Sequence, residues 1–241
     1  MTDLRALFNP QPRIERRQFS DGQSCVVIED ALSDPQRLRQ FALQQRERFA
    51  PAPFNAYPGI ELAMPEEFRL QLGDFFTRHV RSLLGGRRTL KMACRLAMTT
   101  APAAALEPRQ RICHRDSAWV APEQRIAASV LYLFEDPALG GTSFYAPKLP
   151  PAETERLVHD SSTLDNEAFI RQYRLAPAYM TGSNEFFERI GGVEARWNRM
   201  VFYDGRTFHS GDIRSPQALS ADPMHGRLTV NGFFTCSRNA S

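Results

Sequence analysis

Gln110-Arg-Ile-Cys-His-Arg-Asp-Ser117 is the stretch on which the reading of this chain turns. His114 and Asp116 stand two residues apart, and in an extended segment residues i and i+2 project from the same face. An imidazole and a carboxylate placed in that way converge on one cation. The pair alone says little, because His-x-Asp arises often by chance. A second imidazole, His209, lies 93 residues beyond Asp116, after the β-rich run Met200-Val-Phe-Tyr203 and the turn Asp204-Gly205. Ligands so far apart in sequence share an ion only if remote strands converge, as they do in a β-barrel or sandwich.

The surrounding runs fit that demand. Lys91–Met98, Ile126–Phe134, Gly141–Tyr145, Met200–Tyr203 and Leu228–Thr235 are short, β-rich and bounded by Gly, Pro and Asp turns. In the second of them Val130, Tyr132 and Phe134 fall on one pleat side, and Leu131 and Leu133 on the other. Cys25-Val-Val-Ile28 predicts one more strand, whereas residues 1–24 are polar and read as an irregular arm. Ser33-Asp34-Pro35 announces a helix with Ser33 as N-cap and Leu38, Phe41, Ala42 and Phe49 on its apolar side. A second helix runs from about Pro65 to Leu84, with Phe68, Leu72, Phe75, Phe76 and Leu83 as its buried stripe and Gly85-Gly86 as its stop. The prolines of Pro51–Pro65 exclude a regular helix between the two. From about Glu153 to Gly191 two more helices interrupt the strands: Asn166–Arg174, started by Asp165, and Asn184–Ile190, started by Ser183. The pattern predicts a single domain of class α+β, mainly β. An arm (1–24) and a helical support layer (25–88) precede an antiparallel β core (89–236) with a helical insertion at about 153–191.

Composition narrows the function classes. At 241 residues the chain is long enough to bury a core without metal or disulfide staples. Its basic residues are 28 Arg and only 2 Lys, Lys91 and Lys148. Arg favours phosphate contacts, but 27 acidic residues nearly balance the charge and the arginines are scattered, which argues against a nucleic-acid binder. No run approaches the roughly 18 apolar residues of a membrane helix. The first 22 residues hold no apolar signal core, so a cytoplasmic location is expected. Cys25, Cys94, Cys113 and Cys236 form no CxxC pair and read as reduced, buried thiols rather than a zinc site. Nothing in the sequence defines an oligomeric state.

Of the five histidines, His79, His159 and His225 have no ligand partner in view and read as surface residues. His114, Asp116 and His209 compose two imidazoles and one carboxylate, the facial triad of non-haem Fe(II) oxygenases, which leaves the opposite coordination positions open. Arg227 stands 18 residues after His209 and begins an apparent strand in which Thr229 points the same way. A guanidinium binds a carboxylate through two parallel hydrogen bonds, and a Thr hydroxyl adds a third donor.

The ordered blocks Gln110–Ser117, Val130–Phe134, Gly140–Tyr145, Asn198–Gly205, His209–Asp212 and Arg227–Thr229 resemble those of 2-oxoglutarate/Fe(II)-dependent dioxygenases. The likeness is to the prolyl-hydroxylase-like group, and within it to an uncharacterised bacterial family of unknown substrate. It covers roughly Val26 to Phe234, including an opening Val27–Pro35 segment. The resemblance implies a double-stranded β-helix (jelly-roll) core. It implies His114, Asp116 and His209 as Fe(II) ligands, and Arg227, helped by Thr229, as the anchor of the distal carboxylate of 2-oxoglutarate. Tyr132 sits where such enzymes place a tyrosine that reaches the same carboxylate; a core aromatic is the equal alternative. Gly140-Gly141 matches a tight turn, and Gln110 a residue facing the site from the strand that leads to His114.

The implied reaction consumes dioxygen and 2-oxoglutarate, releases succinate and hydroxylates an unactivated C–H bond of a peptide or protein side chain or a small metabolite. Two departures stand out. The His209–Arg227 gap is long and makes Arg214 a rival anion ligand, and the insertion between Tyr145 and Arg196 is either a substrate lid or packing. Arg115, Ser117 and Trp119 flank the metal motif, and the Asn55-Ala-Tyr-Pro-Gly59 loop is placed to fold over the mouth. Two other classes remain: a cupin-like metalloenzyme that does not use 2-oxoglutarate, leaving Arg227 structural, and a non-catalytic jelly-roll binding module.

Overall fold

Alternating burial sorts the strands into two sheets. A computed structural model describes residues 3–51, 56–116, 121 and 123–238. In chain order its elements are β1 (Arg13–Gln18), β2 (Ser24–Glu29), α1 (Pro35–Gln44), β3 (Gly59–Ala63), α2 (Glu66–His79), β4 (Gly86–Thr99) and β5 (Gln124–Tyr132). There follow β6 (Thr142–Pro147), α3 (Pro151–Thr163), α4 (Asn166–Tyr173), β7 (Phe187–Val193), β8 (Met200–Asp204), β9 (Phe208–Gly211) and β10 (Arg227–Arg238). Seven strands form one sheet in the order β1-β2-β8-β5-β10-β4-β3, and β7-β6-β9 form the other. The strand pairs within both are antiparallel.

The period of two decides which face each residue serves. On β8, Met200 and Phe202 join the outer core, while Val201 and Tyr203 join the inner one; on β2, Val26 and Ile28 face out and Cys25 and Val27 in. The outer core is closed by the helices, through Leu38 and Phe41 of α1 and Phe68, Leu72, Phe75 and Phe76 of α2. Phe76 stacks on Phe234 of β10 at 4.0 Å between centroids. The inner core lies between the sheets, where Tyr132 and Tyr203 meet Phe144 and Val193. A third cluster holds the insertion, with Leu157 of α3 and Phe169 of α4 packed on Tyr145, Phe187 and Phe208.

Five local expectations need correction. Residues 1–24 are not wholly irregular, since β1 pairs with β2 from Arg13↔Glu29 to Gln18↔Ser24. The α1 cap is Asp34, whose carboxylate accepts the Arg37 N–H, rather than Ser33; the helix ends at Gln44, before Phe49. Helix α2 stops at His79 and leaves Leu83 exposed. The predicted helix Asn184–Ile190 is a turn running into β7: Asn184 Oδ1 accepts the N–H groups of Phe186 and Phe187, so its capping chemistry serves a turn. The helix the sequence hid is α3, with Leu157 its one buried large apolar residue and so almost no periodic signal. No described helix is long and apolar enough to cross a membrane.

Candidate active site

Backbone pairing assembles the triad. His114 and His209 exchange two backbone hydrogen bonds, His114 N–H to His209 C=O at 3.0 Å and His209 N–H to His114 C=O at 2.9 Å. Two residues on, the Asp116 N–H donates to Gly205 C=O at 2.7 Å. The His-x-Asp segment is thereby laid along β9 and the turn before it. The ligand atoms of His114, Asp116 and His209 all lie within 4.8 Å of one another, the group of this kind found among the described residues. Asp116 Oδ2 is 3.4 Å from His209 Nε2, and Asp116 Oδ1 is 3.8 Å from His114 Nε2. Side-chain exposure falls from 58% at His114 to 12% at Asp116 and 6% at His209, so the triad runs from the cavity mouth inward.

The donor set fits a metal ion. His209 Nδ1 sits 3.0 Å from the Thr207 carbonyl, which fixes the proton on Nδ1 and leaves Nε2 free to ligate. Asp116 Oδ2 is buried with no hydrogen-bond partner. Buried carboxylate oxygens are rarely left alone, and a cation at this point would satisfy it.

The triad opens into a cavity of about 370 Å³. Arg227 lines it, buried at the start of β10. Its Nε donates to the carbonyls of Leu139 and Gly140 and its Nη2 to that of Gly141. Those bonds set the plane of the guanidinium, and among the described residues none accepts from Nη1. The Gly140-Gly141 turn places the carbonyls, and only glycine fits there. Gly140 has φ +75° and a Cβ would stand 1.8 Å from Asp212 O, while at Gly141 it would stand 2.0 Å from Val193 O. Tyr57 and Tyr179 also line this cavity; the Tyr57 hydroxyl is 3.0 Å from Thr99 Oγ1, and that of Tyr179 donates to Ala101 C=O. Burial raises both phenols above their ordinary pKa against the pull of Arg227, so both stay protonated.

The remaining sequence candidates fall in several places. Thr229 shares the Arg227 face of β10 but is fully buried, its hydroxyl donating to Ala97 C=O. Tyr132 is fully buried, its hydroxyl 2.7 Å from Thr142 Oγ1 and its pKa pushed up to about 12 by desolvation. Thr142 lines the cavity; Tyr132 and Thr229 stand behind its wall. Gln110 lines it too, but from a 3₁₀ turn rather than a strand, with Oε1 accepting the Glu107 N–H. Arg214 is no rival to Arg227: its side chain is 66% exposed, paired with Asp212 at 3.1 Å, and lines a separate groove beyond the glycine turn.

Ala56, Tyr57 and Pro58 of the proline-rich loop reach the cavity; Asn55, Ser117 and Trp119 lie outside the described residues. Arg115 lines it while holding Glu155 of α3 at 2.6 Å and stacking over Phe208 at 4.5 Å. The insertion contributes Tyr179 and Met180 to the wall, and the Met180 carbonyl accepts from Tyr145 and Ser210. Sequence reasoning missed Tyr179, Arg95 and Asn231.

Residues 10–234 match the family model described as a family of unknown function, DUF6445. No curated protein matches the chain in sequence. Among solved structures it is similar to SnoK, a non-haem α-ketoglutarate-dependent carbocyclase from nogalamycin biosynthesis. The TM-score is 0.51 and the identity 13%, over 89% of this chain and 80% of that one. It is also similar to a prolyl 4-hydroxylase of Pseudomonas putida, with TM-score 0.48 and 15% identity over 91% and 95% of the two chains. A third likeness is to prolyl 4-hydroxylases of Phytophthora capsici, with TM-score 0.44 and 13% identity over 88% of this chain. The chain spans 58% of the length of that structure. At such identities the likeness to the carbocyclase shows the fold: a mainly β, double-stranded β-helix architecture.

Proposed function

Because the chain belongs to the DUF6445 family, whose description names no reaction, we propose its activity from its own site: an Fe(II)- and 2-oxoglutarate-dependent oxygenase. One observation carries this reading, namely that the His114–Asp116–His209 triad and the buried Arg227 open onto the same cavity. The leading assignment is hydroxylation of an unactivated C–H bond in a peptide side chain or small metabolite.

His114, Asp116 and His209 would hold the iron. When bound, it supplies dioxygen activation coupled to oxidative decarboxylation of 2-oxoglutarate to succinate and carbon dioxide. The chain does the rest. Arg227 offers its Nη1 hydrogens to the distal carboxylate, in a plane fixed by three backbone carbonyls. The protonated Tyr57 and Tyr179 phenols stand on the same cavity wall. Ile112, Val130, Ile213 and Phe233 line the space apolarly and limit its water.

Arg227→Ala tests the cosubstrate assignment. Loss of a charge-assisted pair of about 1.5–3 kcal/mol weakens binding roughly ten- to a hundredfold. The charge-transfer band of the Fe(II)–2-oxoglutarate complex should need that much more cosubstrate, while metal affinity stays near wild type. The three carbonyl contacts of Arg227 also suit a second reading, a metalloenzyme of cupin type in which Arg227 is structural. That reading predicts a lower melting temperature with no selective loss of 2-oxoglutarate.

A further inference from the structure

The face of β10 that bears Arg227 also bears Asn231 and Phe233, and all three line the cavity. Asn231 Oδ1 is buried there without a hydrogen-bond partner. Its neighbours across the sheet do not serve it. Val130 on β5 is apolar. Arg95 on β4 is turned to Glu61, 3.0 Å away, and over the Phe233 ring at 4.7 Å.

The other asparagine of the core shows what the fold does when an amide is structural. Asn198 is buried, and its carboxamide takes both backbone groups of Leu32, accepting the N–H at 2.9 Å and donating to the C=O at 2.8 Å. Asn231 has the same chemistry on a residue that lines the cavity, and its Oδ1 is buried without a partner. A buried amide oxygen without a donor is unfavourable, and one kept at a site wall marks where a ligand donor belongs.

2-Oxoglutarate does not supply that donor, because its carboxylates and ketone only accept hydrogen bonds. The missing group is an N–H or O–H of the molecule being oxidised. A carboxamide presents an acceptor beside a donor, and the neutral group that matches both is another amide. Exchanging the oxygen and nitrogen of Asn231 leaves the match intact, because an amide pair is reciprocal.

We propose that Asn231 is a substrate-recognition residue whose carboxamide pairs with an amide group of the substrate, one bond accepted and one donated. This rests on the oxygenase reading of the cavity. A peptide bond and the free carboxamide of a small molecule share the required chemistry.

The test uses the full chain loaded with Zn(II), which holds the triad without turnover, and reads ligand affinity by NMR titration. The probes are N-methylamides of simple acyl groups as the peptide arm, primary carboxamides such as benzamide and nicotinamide as the small-molecule arm, and the methyl ester of each as its matched compound without any amide N–H. At least one amide should bind tenfold or more tightly than its ester, and the arm to which it belongs identifies the source. Asn231→Ala should bring that ratio to within twofold of one, which is a loss of about 1.4 kcal/mol. It should leave ester affinity unchanged and the melting temperature no lower than wild type, with Asn231→Leu as a second variant that keeps the volume.

A wild-type amide-to-ester ratio near one overturns the proposal. So does an unchanged ratio in both variants, or a fall in melting temperature with the ratio intact. Failure of the oxygenase reading is seen separately, as absence of 2-oxoglutarate binding, since the amide ratio is measured on the Zn(II) protein with and without that cosubstrate.

Discussion

Asp116 Oδ2 is shut away from water and accepts no hydrogen bond, 3.4 Å from His209 Nε2. Metal-free, the site keeps a buried carboxylate unsatisfied, so Asp116→Asn should melt no lower than wild type without metal. With Fe(II) or Zn(II) at a hundred times its dissociation constant, wild type should gain about 2.7 kcal/mol and Asp116→Asn much less. Anaerobic thermal melts with and without metal check both halves, and equal metal stabilisation of the two proteins contradicts the ligand assignment. At this scale the sequence was informative where chemistry depends on residue type and spacing. His114, Asp116 and the distant His209 were legible, and so was Arg227. Asn231 was not, because an asparagine on a strand acquires meaning only once Arg95 and Val130 are seen to leave it unpaired.

Elements matter to the site through one small turn. Gly140 and Gly141 approach the backbones of Asp212 and Val193 too closely for any side chain, and their carbonyls orient Arg227. Gly141→Ala should therefore act like a damaged Arg227, raising the 2-oxoglutarate concentration needed for half-saturation while the metal still binds. Calorimetry on the metal-loaded variant measures this, and an unchanged affinity would show that Arg227 needs no such frame. Helix α2 plays a different part. Phe76 seats it on Phe234 and Phe202 of the large sheet, and Phe76→Ala should cost about 3–5 kcal/mol in denaturant melts. Strands such as β2, β5 and β8 were readable because each serves two cores, whereas the exposed β1, and β3 and β7, were not. Helix α3 was not, since Leu157 alone gives no period, and Ser183 misled as a helix cap because a serine hydroxyl also closes turns, here accepting the Arg189 N–H.

For the whole molecule, the arginine surplus is consumed close to home. Arg5, Arg17, Arg109, Arg206 and Arg214 each pair with the acid two residues before it, so much of the positive charge is neutralised where it arises. Such exposed pairs add little stability, typically 0–1 kcal/mol each. One pair of longer reach, Arg115–Glu155, ties the metal-bearing segment to α3 of the insertion. Glu155→Ala should change the global unfolding free energy by less than about 1 kcal/mol yet speed amide exchange across α3, because the tie is local. Exchange mass spectrometry reads this directly, and unchanged protection would mean that Leu157 and Phe169 hold the insertion unaided. Which sheet each strand joined was beyond the sequence, since pairing partners such as β2 and β8 lie far apart along the chain.

The two backbone hydrogen bonds between His114 and His209 join residues 95 positions apart. Closing so long a loop is entropically slow work, and contacts of that range form after local ones such as the turns of α1 and α2. A chain that has not formed this pairing holds His114 and Asp116 together in one segment and lacks His209 beside them. A metal ion held by all three residues would therefore bind the folded chain in preference to the unfolded one and add its binding free energy to the fold.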